Sequence, residues 1–242
     1  MVKTRIIPVL LRRGFNLVKG EGFFSWRTVG LAIQAAKIHQ MREVDELIVL
    51  DITADEPDIL FTQSLTEDCF MPLTIGGGIR SLSDIRNVLS KGADKVSIGN
   101  GAIDYRFIES AVKKFGSQAI TIAIDADETQ NVMTQRASYC TGYKAVDWAK
   151  QFCELGVGEI LLTSIPRDGR MQGYDLKLIE KVVEAVNIPV VAAGGAGSYQ
   201  HMAEALKAGA HAVAAGALFL FTDATPRGAA EWLADKGFAT RI

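Results

Sequence analysis

The residues best placed to do chemistry in this 242-residue chain include two glycine runs, Gly76-Gly77-Gly78 and Gly194-Gly195-Ala196-Gly197. Each closes a short apolar run and is followed shortly by a serine, Ser81 or Ser198, suited to open a helix. Glycine lets the backbone pass close to an anion, and the helix behind it offers unpaired N–H groups and the positive end of its dipole. A second small-residue turn follows each run, Gly99-Asn100-Gly101 and Gly216-Ala217. The conformational freedom of glycine alone would explain one such turn. Two at equivalent places predict two phosphate sites, one on Gly77, Gly78 and Asn100, the other on Gly194, Gly195, Gly216 and Ala217. The ligand would be long and phosphorylated at both ends.

Three carboxylates stand near the same places. Asp51 and Asp125 end apolar runs, and Asp168 precedes Gly169 in a loop. In a tuned environment such a group acts as a general acid or base; the plainer reading is helix capping or turn formation. Asp125, in an apolar strand flanked by alanines, favours chemistry, whereas both readings stay open for Asp168. The segment Arg12–Thr28 contains Gly14, Gly20, Gly22 and Lys19 and reads as a mobile lid bringing a cation to an anionic substrate. A further set of charges, Arg5, Glu46, Lys95 and Glu159, stands at the starts of four apolar runs. Two positive and two negative groups there could close a ring of ion pairs, which would gate a small polar molecule. His39, His201 and His211 lack metal-ligand spacing, so no metal is expected and they read as structural. Trp148 and Trp232 read as packing residues, and Trp26 falls in the lid.

The elements that must position these groups alternate throughout. Strands are expected at Arg5–Leu11, Glu46–Asp51, Leu73–Ile75, Lys95–Ile98, Ala119–Asp125, Glu159–Ser164, Val190–Ala193 and Ala212–Ala215. Helical periodicity marks Leu31–Gln40, Leu82–Ser90, Ile108–Phe115, Ala145–Leu155, Leu176–Val186 and Tyr199–Lys207. Near-continuous apolar strands alternating with helices predict a parallel sheet, either a closed barrel or a doubly wound open sheet. An internal repeat decides between them. Pro72–Gly78 aligns with Pro189–Gly195, and Lys91–Gly99 with Ala208–Gly216, at one constant offset of 117 residues. The expected fold is therefore α/β, a single (βα)8 TIM barrel over residues 1–242, built from half-barrels at about 1–117 and 118–242. The charged strand starts then lie on one face, and the glycine turns and carboxylates on the other. Asp127–Thr141 is the one irregular stretch, a loop or small hairpin over the mouth with short strands at Val132–Thr134 and Ala137–Tyr139.

Composition bounds the function. A net charge of −2 gives no bulk attraction for nucleic acid or an anionic membrane, and no apolar run is long enough to span one. Three widely spaced cysteines, Cys69, Cys140 and Cys153, argue against a disulfide framework, so a reducing, cytoplasmic setting is expected. The residues imply no cofactor.

Over essentially its whole length the chain resembles the cyclase subunit of imidazole glycerol phosphate synthase, from histidine biosynthesis. The shared motifs include Arg5-Ile6-Ile7-Pro8, Leu50-Asp51-Ile52-Thr53-Ala54, Gly76-Gly77-Gly78-Ile79, Ala93-Asp94-Lys95-Val96-Ser97-Ile98, Ala123-Ile124-Asp125-Ala126, Gly158–Ile165 and Gly194-Gly195-Ala196-Gly197. The resemblance implies a glutaminase subunit docked under the barrel, forming a heterodimer. Ammonia would pass a gate of Arg5, Glu46, Lys95 and Glu159 to a phosphorylated substrate on top. It further implies phosphate binding at both glycine turns, a lid role for Lys19 and catalysis by Asp125. Asp51 is expected to assist catalysis by ordering the substrate or the site, and Asp168 with Gly169 to position the ligand. The family uses a second catalytic aspartate ending the first strand, and here that position holds Leu11. Leucine cannot transfer a proton, and losing such a group costs about 10²–10⁴-fold in rate. Gly99-Asn100, Ala217 and Pro166 also depart from the family pattern around the phosphate sites. Together these changes resemble a side branch associated with surface-polysaccharide clusters, in which a glutaminase partner and barrel help form an acetamidino sugar, as in O-antigen, so the substrate to be amidated is expected to be phosphorylated or nucleotide-linked. The alternatives are a true histidine-pathway cyclase, a scaffold that only activates the glutaminase, and the sister sugar-phosphate isomerase, which would also want the missing aspartate.

Overall fold

The computed structural model describes residues 3–241; Met1, Val2 and Ile242 lie outside the described residues. In chain order the strands are β1 (Arg5–Arg13), β2 (Asn16–Glu21), β3 (Phe24–Leu31), β4 (Leu47–Asp51), β5 (Leu73–Gly76), β6 (Lys95–Ile98), β7 (Ile120–Ala126), β8 (Asn131–Thr134), β9 (Tyr139–Lys144), β10 (Glu159–Ser164), β11 (Val190–Ala193) and β12 (Ala212–Ala215). The helices are α1 (Ala32–Met41), α2 (Ile59–Asp68), α3 (Leu82–Ser90), α4 (Tyr105–Phe115), α5 (Ala145–Glu154), α6 (Leu176–Ala185), α7 (Tyr199–Lys207), α8 (Ala217–Phe221) and α9 (Pro226–Asp235).

Eight of the strands pair in parallel, in the order β1, β4, β5, β6, β7, β10, β11, β12, and β12 pairs back with β1 through Ile6 opposite Val213. The sheet is closed, and the fold is a (βα)8 TIM barrel. Alternation along each strand sorts side chains between two cores. Ile6 and Leu10 of β1 face the helices within the large outer core. Ile7 packs inside the barrel with Ile48, Leu161, Val191, Ala212 and Ala214, and Val9, Leu50 and Ala193 pack against this inner cluster.

The half-barrel offset is visible in local geometry. Ser81 and Ser198 cap α3 and α7 identically, each accepting from the backbone N–H three residues on. At the bottom of the two halves, the Leu73 N–H donates to the Asp94 carboxylate, and its counterpart Val190 N–H donates to His211 Nδ1. His211 thus replaces a carboxylate as a structural acceptor, and its pKa is lowered by burial and by nearby Arg5.

Two segments differ from the sequence expectation. Arg12–Thr28 is not a glycine-flexible loop: β1 runs on to Arg13, and β2 and β3 form an antiparallel ribbon continuing from it. Gly14 and Gly22 sit at the two turns with φ of 58° and 56°, the left-handed conformation that glycine adopts without strain. Asp127–Thr141 does form a hairpin, but its second strand begins at Tyr139, leaving Ala137 and Ser138 in the turn. Helices α2, α8 and α9 lie outside the expected helical segments; α2 is amphipathic only weakly and mixes Phe61, Thr62 and Leu65 on its buried side, whereas α8 spans only Ala217–Phe221.

Candidate active site

A cavity of about 570 Å³ opens at the C-terminal ends of the barrel strands. Val9, Leu50, Ser97, Ala123, Leu161, Thr163, Ala193 and Ala214 line its depths, small or apolar side chains on the inward positions of the strands. Leu11 lines it too, so the first strand presents an apolar wall where a carboxylate could have stood. Phe23 and Trp26 come from the β2–β3 ribbon.

Asp125, at the inward end of β7, is the carboxyl best suited to proton transfer. Burial raises its pKa to about 7, and the negative charge of Asp168 pushes the same way, while a hydrogen bond with Thr163 pulls down. The cavity wall withholds full hydration from its ionised form even though some solvent reaches it. Near neutral pH this group is poised between acid and base.

Asp168 and Lys19 form a second polar cluster. The Lys19 ammonium donates to Asp168 Oδ1 at 2.9 Å, with both residues buried. Asp168 Oδ2 is buried without a hydrogen-bond partner, and both residues line the cavity. The ribbon is seated firmly on this loop: the Gly22 N–H donates to the Asp168 carbonyl, and a Cβ on Gly169 would stand 2.2 Å from the Gly20 carbonyl oxygen. Lys19 is therefore held by a β-ribbon and not carried by a loose lid.

Asp51 also reaches the cavity, but its oxygens are fully engaged. Oδ1 accepts from the Thr53 N–H and hydroxyl and the Ala54 N–H; Oδ2 accepts from Arg12 Nε and Nη2 at 3.0 and 2.6 Å. Arg12 is buried, bridges on to Asp58 at 2.7 Å and lies 3.7 Å above the Phe61 ring. Asp58 is itself the N-cap of α2. This clamp shapes the first glycine turn, because a Cβ on Gly77 would lie 2.5 Å from the Asp51 carbonyl oxygen and one on Gly78 would meet the Glu56 backbone at 2.4 Å. Sequence reasoning passed over Arg12. An arginine pair ending an apolar strand was its only signal, and the strand's extension past Leu11 made it inward-held.

The other expected phosphate residues divide. Gly77, Gly78, Asn100, Gly194 and Gly216 line the cavity. Gly169, Gly195 and Ala217 do not; Gly195 packs against the Gly173 carbonyl and Gly169 against Gly20. Asn100 Oδ1 accepts from the Gln135 N–H at 2.8 Å, tying the β8–β9 hairpin to the first-half turn.

At the opposite end of the barrel, Arg5, Glu46, Lys95 and Glu159 converge. Arg5 donates to Glu46 at 2.5 Å and to Glu159; Lys95 donates to Glu46 at 3.0 and 3.1 Å and to Glu159 at 3.1 Å. Thr74 adds a hydrogen bond to Glu46 at 2.7 Å. Burial would raise the Glu46 pKa, but Lys95 and Arg5 outweigh it and hold the carboxyl below its ordinary value. The same reciprocity raises Arg5 against the effect of burial. Above the ring lies the inner apolar cluster, then the cavity.

The sequence model of the histidine biosynthesis protein family matches residues 5–225 of this chain. The chain belongs to that family. Its members are TIM-barrel enzymes of isomerase or cyclase type, and the match spans every barrel strand, including all four floor charges, Leu11 and Asp125. Among the described residues, no helix is long and apolar enough to cross a membrane and no group of three or more His, Cys, Asp or Glu could hold a metal.

Proposed function

We propose that the protein is an ammonia-accepting, cyclase-type subunit that aminates a phosphate-bearing substrate, with ammonia supplied by a glutaminase docked on the charged floor. The observation that carries this reading is the closed Arg5–Glu46–Lys95–Glu159 ring, placed on the barrel axis below an acid-bearing cavity and separated from it by apolar side chains. A ring of paired charges excludes free ions, while a small neutral amine can pass when one pair yields, and the apolar layer above favours the uncharged form. In the cavity, ammonia forms a C–N bond to an electrophilic carbon. Asp125 donates its proton to the departing oxygen and regains one from the new ammonium nitrogen. Asp51, held by Arg12, orders the loop beside the first glycine turn, and Lys19 with Asp168 orients the ligand from the other side. Leu11 in place of a first-strand carboxylate favours a substrate other than that of the histidine pathway, and the acetamidino-sugar branch of surface-polysaccharide synthesis fits that departure.

Two experiments test this. The barrel should co-purify with its candidate glutaminase and raise its glutamine hydrolysis, and Arg5→Ala with Lys95→Ala should abolish both; an undiminished complex would remove the floor from the argument. A strain lacking the histidine cyclase should not grow without histidine when given this chain. Robust growth would instead make it a histidine-pathway cyclase.

A further inference from the structure

Charge is not shared evenly between the two ends of the cavity. On the side of Gly194 and Gly216 the lining cation is Lys19, already neutralised by Asp168 at 2.9 Å. On the side of Gly77 and Gly78 the lining cations are Arg80 and Arg136. Arg80 holds Asp55 only across an exposed 3.5 Å pair, and among the described residues Arg136 has no carboxylate within the 4.0 Å limit of an ion pair. Arg136 lines the mouth from a hairpin tip at which Gln135, Arg136 and Ala137 adopt φ of 52°, 61° and 64° in succession. Side chains other than glycine rarely take that conformation, and such strain persists where the surroundings impose it. Here the Gln135 N–H is fastened to Asn100 at the edge of the first glycine turn. Below them, the Ser97 hydroxyl is buried in the cavity wall with no hydrogen-bond partner. Two guanidiniums beside a glycine turn and an unused hydroxyl suit more than one negative charge at a single place.

We infer that Arg136 and Arg80 form a cationic clamp over the Gly77–Gly78 turn that takes a diphosphate group, so that the ligand carries its negative charge at one end and not as one phosphate at each end. This rests on the cavity being the substrate site and narrows the substrate class to diphosphate esters.

Isothermal titration of the full chain tests the clamp without glutaminase or turnover, so its outcome is independent of whether ammonia is the co-substrate. The probes are inorganic pyrophosphate and a hexose bisphosphate with its phosphates at opposite ends. Pyrophosphate should bind about tenfold or more tighter than the hexose bisphosphate, and Arg136→Gln should weaken pyrophosphate by about tenfold while Arg136→Lys restores part of the loss. Ala137→Gly, which relieves strain without touching charge, should leave pyrophosphate affinity within about twofold. Asp168→Asn, which releases Lys19, should improve hexose bisphosphate binding. Equal affinity for the two probes, no pyrophosphate binding by the folded wild-type chain, or an Arg136→Gln variant that binds like wild type would each overturn the clamp. If the clamp stands while the glutaminase fails to associate, the ammonia reading alone is lost.

Discussion

Asp125→Asn isolates the group on which the chemistry turns. In the folded chain the Asp125 carboxyl ionises at about 7, against 3.8 for an ordinary aspartate. Below the lower value both folded and unfolded chains hold the proton, and the folded state has its full advantage. Between the two values the unfolded chain ionises while the folded one does not, so stability falls as pH rises and levels off above the folded pKa. Each pH unit in that window is worth about 1.4 kcal/mol, so from about pH 5.5 to pH 8.5 the loss assigned to this one group is about 2 kcal/mol, or about 1 if cavity water relaxes the burial. Asparagine keeps the shape and cannot titrate. Urea unfolding of wild type and Asp125→Asn at the two pH values gives the difference of differences, in which all other titrating groups cancel. Wild type should lose about 1–2 kcal/mol relative to the variant on going to the higher pH. Parallel stability curves for the two proteins would refute the raised pKa, and with it the assignment of Asp125 as the proton donor. Catalytic turnover should show the same dependence, declining above about pH 7 in wild type and nearly absent throughout in the variant.

Other perturbations probe the framework. Lys95→Met leaves Glu46 and Glu159 buried with Arg5 as their remaining cationic partner; chemical denaturation should register a loss of about 3 kcal/mol, and a loss below about 0.5 would mean the ring is solvated. Arg12→Met should cost about as much, because it strands Asp51, and combining it with Asp51→Asn should recover part of that cost; strictly additive effects would break the proposed clamp. Gly77→Ala places a Cβ 2.5 Å from the Asp51 carbonyl oxygen at φ +114° and should destabilise by about 2 kcal/mol or more while abolishing phosphate binding. Gly14→Ala, with open space around its φ of +58°, should cost only about 1 kcal/mol and spare binding, and equal effects at the two positions would assign the first to backbone strain alone.

The strand and helix pattern was legible because parallel barrel strands are buried on both sides and read as unbroken apolar runs. Closure came from the repeat: an open sheet gives no reason for Asp94 and His211 to sit one fixed offset apart, and in the structure they accept the same backbone N–H in their respective halves. Asp125 stood out as a candidate because it interrupts a run of small and branched residues, and the structure turns it into the cavity. The β2–β3 ribbon was not legible, because Lys19, Gly20 and Gly22 read as loop residues until β1 offers an edge to pair with. Arg12 was hidden for a related reason. A charged residue next to solvent-facing Arg13 reads as surface until Asp51 from β4 and Asp58 from the start of α2 converge on it across more than 30 residues of chain.

Sequence alone thus determined the alternating architecture, the places of the glycine turns and the apolar Leu11 near the end of the first strand, since each is a property of residue type and order. Only the tertiary structure decided that the four floor charges meet at one end of the barrel, that Lys19 is consumed by Asp168, and that Arg136 lines the same cavity as the first glycine turn. Those facts depend on distances between residues as many as 154 positions apart, and one-dimensional patterns carry no information on which of two like charges finds a partner.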